Sequence, residues 1–222
     1  MPPSLELCHI FLFVEPGAPE AARLREAGLV ESFRRAHPGQ GTANLCYCFD
    51  NAYLELLWLE SAEEAKSPAI ARTGLAERAG WRANGASPFG IALRAAGPLP
   101  FVTWDFTPSY LPPGMAIPVS LESEDPAHPF IFQSPGNARP DAWTDGRAGN
   151  RQSAAGLAEI AGVRLSLPDG AAPGRDLEAL VDAGLLTVEP AVTDHPRMVL
   201  TVSRQDGEQP RRLSLPEFEW VE

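Results

Sequence analysis

The stretch Leu5–Leu29, LELCHIFLFVEPGAPEAARLREAGL, recurs in outline as Glu159–Leu185, EIAGVRLSLPDGAAPGRDLEALVDAGL. In each, an apolar strand runs into an acidic turn, Glu15-Pro16-Gly17-Ala18-Pro19 or Asp169-Gly170-Ala171-Ala172-Pro173. A helix follows, ending Ala27-Gly28-Leu29 or Ala183-Gly184-Leu185. Proline suits the first helical turn because the N–H it lacks has no partner there. Glycine suits the left-handed residue just past a helix. Two copies in the same order predict a duplicated β-α-β unit, with a site built between similar halves.

Working outward, Leu5–Val14 is apolar on both faces, as a strand buried on both sides must be. Pro19–Ala27 reads as a short helix with Leu24 and Ala27 inward. Thr42–Phe49 and Ala52–Leu59 read as strands joined by a two-residue Asp50-Asn51 turn, both residues tolerating positive φ. Ser61–Trp81 reads as helix broken at Pro68 and Gly74, and Phe89–Arg94 as a strand. Weaker strands are expected at 101–106, 116–121 and 129–133, then a polar surface loop from Gly136 to Ala155. The second copy gives strand 159–167, helix 173–183, strands 185–190, 198–204 and 211–215, and a tail with Phe218 and Trp220 packed on the sheet. The expectation is an α+β fold: two βαβββ modules, residues 1–60 and 156–222, forming curved mixed sheets around a shared cavity. Residues 61–155 between them form a linker helix and a β-rich, proline-containing insert, all in one compact unit.

The 222 residues, 44% hydrophobic and 21% charged, are enough for a real core. A net charge of −11 argues against nucleic acid and anionic membranes, which need a basic footprint. No apolar run approaches the ~18 residues of a membrane span. The start, Met1-Pro2-Pro3-Ser4-Leu5-Glu6, lacks the features of a signal peptide, so a cytoplasmic location is expected. Cys8, Cys46 and Cys48 are an odd set in strand contexts and read as buried thiols.

Two mid-strand residues stand out. His9 sits between Leu7 and Phe11 on its face of the first strand, and Glu55 between Tyr53 and Leu57 on its own. A mid-strand carboxylate is costly to bury unless paired, hydrogen-bonded or bound to a metal. Imidazole and carboxylate facing one cavity can be metal ligands or an acid/base pair. Equally, they can simply hydrogen-bond each other or a buried water. In His37-Pro38-Gly39-Gln40-Gly41-Thr42-Ala43-Asn44, Gln40 and Asn44 place amides near a strand start; the alternative is a tight polar turn. Trp104 and Tyr110 in the insert are candidate pocket walls, Tyr53 lies beside Glu55, and Arg94 at a strand end is a candidate anion holder. His128 and His195, each in a polar context beside proline, read as solvated. No Gly-x-Ser-x-Gly turn, His-Glu-x-x-His helix or Cys-x-x-Cys pair is present.

A first-strand His, a Glu-Leu in the strand closing the first unit and a repeated βαβββ module resemble the vicinal oxygen chelate superfamily, which includes glyoxalase I, extradiol dioxygenases and the bleomycin and fosfomycin resistance proteins. The runs HPGQGTANLCYCFDNAYLELLWL and SPFGIAL are similar to its bacterial glyoxalase-like branch. The resemblance is specific in residues 9 to 94. It implies an enzyme acting on a small oxygen-rich molecule by lyase, isomerase or dioxygenase chemistry, with Glu55 catalytic. It allows a divalent metal (Zn, Fe, Mn or Ni) held by His9 and Glu55. Substrate contacts would come from Gln40, Asn44, Tyr53, Arg94, Trp104 and Tyr110, and the default assembly is a homodimer. Ligands in this superfamily come from the first and last strands of each module. The 154-residue offset from Pro19 to Pro173 maps His9 onto Val163, and the last strand offers Ser214 in place of a Glu. Missing ligands there favour the second reading, a metal-free binding protein of the drug-sequestering kind. A pure scaffold has no positive feature.

Overall fold

The computed structural model describes residues 5–168, 170–190 and 195–222; Met1–Ser4 and Asp169 of the repeated turn lie outside them. The first run comprises β1 (Leu5–Phe13), α1 (Ala21–Glu26), β2 (Phe33–His37), β3 (Thr42–Cys48) and β4 (Tyr53–Leu59). Three short helices follow: α2 (Ala62–Ala65), α3 (Leu75–Ala79) and α4 (Trp81–Asn84). Then come β5 (Phe89–Ala95), β6 (Thr103–Phe106), β7 (Ile117–Ser120) and β8 (Phe130–Gln133). The C-terminal run is β9 (Leu157–Leu167), α5 (Arg175–Asp182), β10 (Thr187–Pro190), β11 (Arg197–Arg204), β12 (Arg211–Leu215) and β13 (Glu219–Val221). Among the described residues no helix is long and apolar enough to cross a membrane.

The expected class holds: an α+β chain with two curved mixed sheets. One sheet has eight strands in the order β2-β3-β4-β1-β5-β8-β7-β6, the other five in the order β10-β9-β11-β12-β13. The larger sheet is symmetric about its centre. β1 and β5 pair antiparallel, β4 runs parallel to β1, and β8 parallel to β5. Outward from that seam, each side presents its first, fourth, third and second strand. Strands β5–β8, from the expected insert, are therefore the counterpart of β1–β4 in one sheet. The C-terminal run differs: β9 pairs directly with β10 in parallel and with β11 antiparallel.

The repeated helix motif is nonetheless real. Gly28 and Gly184 have φ of +89° and +72°. The N–H of Leu29 bonds the Leu24 carbonyl at 2.9 Å, and that of Leu185 bonds Leu180 at 3.0 Å, so both helices end in the same left-handed cap. Pro19 and Pro173 lie one residue before the N-caps Glu20 and Gly174, outside the first turn where the sequence places them. Other local expectations are corrected. The sequence predicts no strand at 33–37, where β2 forms the sheet edge. Asp50 and Asn51 turn the chain without positive φ, the Phe49 N–H bonding the Ala52 carbonyl at 2.9 Å. The loop 136–155 is not merely superficial: Gln152 is fully buried and bonds Val30 through both its amide atoms.

Strand alternation gives the large sheet two apolar faces. Ile10, Leu12, Leu45, Leu54, Leu56 and Ile91 point to a core shared with α1, α5 and the C-terminal sheet. Phe11, Phe13, Leu57, Phe106, Phe130 and Phe132 point the other way, toward α3 and α4. Val163 lies in the first core, on the side of the sheet away from His9. Ser214 bonds Glu217 at 2.8 Å.

Candidate functional site

A bulge in β1 aims the site. Leu7 pairs with Leu93 and His9 with Ala92, so Cys8 is an extra residue. Leu7 consequently packs against the core shared with the C-terminal sheet, not beside His9 as simple alternation predicts, while Cys8 and His9 both line a cavity. That cavity, about 410 Å³, occupies the second face of the eight-stranded sheet. It lies between β1–β4 and β6–β8, under the loop carrying Trp143 and Arg147, and no described residue after 147 lines it.

Of the residues singled out by sequence, the cavity gathers His9, Gln40, Asn44, Tyr53, Glu55 and Tyr110. Arg94 and Trp104 are not in its lining. Arg94 contacts Glu6 at 3.3 Å and donates to the Asn51 carbonyl at 2.8 Å. Trp104 lies beneath the Arg72 guanidinium, 4.2 Å from its ring centroid. His37, Arg35 and Trp143 also line the cavity, unforeseen as site residues. The adjacent Arg34-Arg35 pair just before His37 was the one available signal.

Glu55 is the centre of the arrangement. Its Oε2 lies 3.4 Å from His9 Nε2, and its Oε1 accepts from Asn44 Nδ2 at 2.7 Å. Asn44 Nδ2 also lies 3.4 Å from His37 Nε2, while its Oδ1 is buried without a partner. The chain continues through Thr42, which bonds His37 Nδ1 at 2.9 Å and accepts from Gln40 Nε2 at 2.7 Å. Tyr110 donates to Gln40 Oε1 at 3.0 Å. The His9 ring stacks on Tyr53 at 4.3 Å and meets Phe132 edge-on at 5.5 Å.

Burial dominates the electrostatics. It raises the Glu55 carboxyl to about 7, against a smaller opposing pull from the Asn44 hydrogen bond and the Arg35 charge. It lowers His9 to about 3, helped by the Arg94 charge, and His37 to about 4. Near neutral pH the imidazoles are neutral and Glu55 is poised between its two forms, so His9 and Glu55 are not a full ion pair.

The donors do not fit a resident transition metal. The 3.4 Å spacing of His9 Nε2 and Glu55 Oε2 allows one ion to touch both, but catalytic zinc and non-haem iron sites use three protein ligands. The positions that could complete the set, on the first and last strands of the opposite half, are Gly90, Ala92, Phe130 and Phe132. Among the described residues the three-donor group that could hold a metal is elsewhere: Glu122, His128 and Asp176, with ligand atoms within 4.8 Å of one another. His128, expected to be solvated, instead holds buried Asp176 at 2.8 Å. That cluster is already engaged, since Asp176 accepts from Ser120 at 2.5 Å and Glu122 from the Arg175 N–H of α5 at 3.0 Å. His195 is exposed, edge-on to Trp81 at 6.0 Å.

Residues 7–103 match a family model described as a glyoxalase-like domain. A search of curated proteins returned no match. Solved structures similar to the chain include a hypothetical protein from Staphylococcus aureus, at 12% identity and TM-score 0.45, covering 94% of this chain and 85% of that one. Methylmalonyl-CoA epimerase aligns at 16% identity and TM-score 0.39 over 61% of this chain and 98% of its own. A mutant of 4-hydroxymandelate synthase from Streptomyces coelicolor aligns at 16% identity and TM-score 0.46 over 100% of this chain and 65% of its own. These likenesses carry no argument about activity. The family match, however, covers the residues, 9 to 94, on which the sequence resembles the vicinal oxygen chelate superfamily, and it includes both His9 and Glu55. The likeness to a glyoxalase-like domain thus extends over residues 7–103.

Proposed function

We propose that the protein is a small-molecule enzyme of the isomerase or lyase type in which Glu55 moves a proton on an oxygen-bearing substrate without a resident metal. One observation carries this reading. A carboxyl 6% exposed, poised near pH 7, stands in a cavity of ligand size. As carboxylate, Glu55 takes a proton from the carbon beside a carbonyl, and as carboxyl it returns that proton to the neighbouring carbon or oxygen. Atoms balance and no oxidant is needed. Asn44 fixes the carboxylate plane through Oε1, leaving Oε2 beside His9 to face the substrate. Burial keeps the carboxyl's affinity for the proton high.

The test is deuterium uptake from D₂O into a panel of small enolisable ketones and keto acids, followed by proton NMR. The wild type is expected to exchange at least one member. Glu55→Gln is expected to slow it by about 100-fold or more, the usual contribution of a positioned acid or base. Ligand binding without exchange would contradict the proposal. It would support the metal-free binding reading, which the apolar lining of Phe106, Ile117, Phe130 and Phe132 also favours.

A further inference from the structure

Arg34 and Arg35 are neighbours in β2 with opposite fates. Arg34 contacts Glu31 at 3.1 Å outside the cavity. Arg35 lines the cavity, has no carboxylate within 4.0 Å among the described residues, and lies 5.7 Å from the Phe33 ring. This is unexpected on a chain with 29 acidic and 18 basic residues, where most exposed arginines find an acid. The register explains its position. Arg35 pairs directly with Asn44, so their side chains share a face, and Asn44 in turn bonds Glu55 one strand further in. Arg35 and the diagonal pair Asn44 and Glu55 thus form a line across β2, β3 and β4, running from the rim to the buried carboxyl. The other cationic lining residue, Arg147, is already engaged by Asp145 at 3.4 Å and by the Trp143 ring at 4.3 Å.

Aromatic rings flank this line. Tyr53 contacts both Phe33 and Trp143 at 6.0 Å, in edge-on packing, and its other side stacks on His9. Tyr53, Trp143 and Phe132 all line the cavity, so an unsaturated body inside it has aromatic faces and edges to pack against. From this geometry we infer that the ligand of the cavity is a small aromatic carboxylate, its anion on the Arg35 guanidinium and its ring among Tyr53, Trp143 and Phe132. A guanidinium is suited to this because its fork of N–H donors matches both carboxylate oxygens. The inference rests on the proton-transfer reading of the same cavity only in naming what Glu55 would act upon.

The test compares matched neutral and anionic probes, phenylacetate with phenylacetamide and cinnamate with cinnamamide, by isothermal titration calorimetry. The acids are expected to bind the wild type about tenfold or more tightly than the amides, the scale of one charge-assisted hydrogen bond. Arg35→Gln is expected to erase that preference and Arg35→Lys to restore part of it. Failure of both acids to bind, amides binding as well as acids, or a preference that survives Arg35→Gln would each overturn the inference. The two proposals fail separately. Arg35-dependent acid binding without deuterium exchange removes the proton-transfer reading alone. Glu55-dependent exchange of ketones with no preference for acids removes the carboxylate assignment alone.

Discussion

The halves of the eight-stranded sheet, β1–β4 and β5–β8, share a strand order and differ in what they show the cavity. The first presents Glu55, His9, Asn44 and Arg35; the second presents Phe106, Ile117, Phe130 and Phe132. A symmetric scaffold has therefore been used asymmetrically, one wall supplying the ionisable and polar groups and the other apolar shape. Burial of Glu55 in this cavity disfavours the charged carboxylate and brings its titration near neutral pH.

The halves are also held differently, which gives the largest expected effect on stability. β3 joins β4 by a tight turn, whereas the loop leading into β8 wraps a guanidinium. Arg78 of α3, fully buried, donates to the carbonyls of Ser123 at 2.8 Å, Pro126 at 3.1 Å and Asp125 at 3.2 Å, and also to His128. Its Cζ lies 5.4 Å from the Phe130 ring. Arg78→Met leaves those carbonyls without a donor and is expected to cost roughly 3–5 kcal/mol in urea unfolding. A loss below about 1 kcal/mol would show that the apolar half needs no such clamp.

Next in size is the cost that the polar half imposes. Glu55 titrates at about 7 in the folded protein against 4.5 ordinarily, so below pH 4.5 both states carry the proton and nothing is lost. As pH rises from 4.5 to 7 only the unfolded chain ionises, stability falls, and the penalty is constant above. Glu55→Gln is therefore expected to stabilise the protein by about 3 kcal/mol at pH 8 and hardly at all at pH 4. His9 works in the opposite direction. Its folded value of about 3 lies below the ordinary 6.5, so stability falls as pH drops from 6.5 toward 3. Urea midpoints of wild type and variant across this range check both signs.

The smallest effect is at the seam. Gly90 of β5 faces Phe11 of β1, and a Cβ there would lie 2.0 Å from the ring. Gly90→Ala is expected to cost about 1–3 kcal/mol by overpacking. A neutral result would mean that the halves can spread apart at their junction.

Much of this was legible in sequence where local chemistry decides the outcome. The run from Leu5 to Val14 reads as a doubly buried strand, and Gly28 and Gly184 announce their helix ends. His9 and Glu55 stand out because ionisable groups in apolar strands are costly. The pairing of halves was not legible. The turn repeat points to the C-terminal run, whereas the true partner of β1–β4 has no helix between β5 and β6 and builds β6, β7 and β8 from four residues each. Such short strands carry no usable alternation. β2, Phe-Arg-Arg-Ala-His, escaped because an edge strand needs little apolar pattern, and Arg35 and His37 escaped with it. Trp143 reaches the cavity from a polar loop, a placement that only the fold decides.

The most direct measurement is a carbon-13 NMR titration of the Glu55 side-chain carboxyl, assigned by its loss in Glu55→Gln. The expected midpoint is near pH 7, with His9 remaining neutral down to at least pH 5. A midpoint near the ordinary 4.5, with His9 protonated at pH 6, would contradict the central claim that burial poises a single carboxyl for proton transfer.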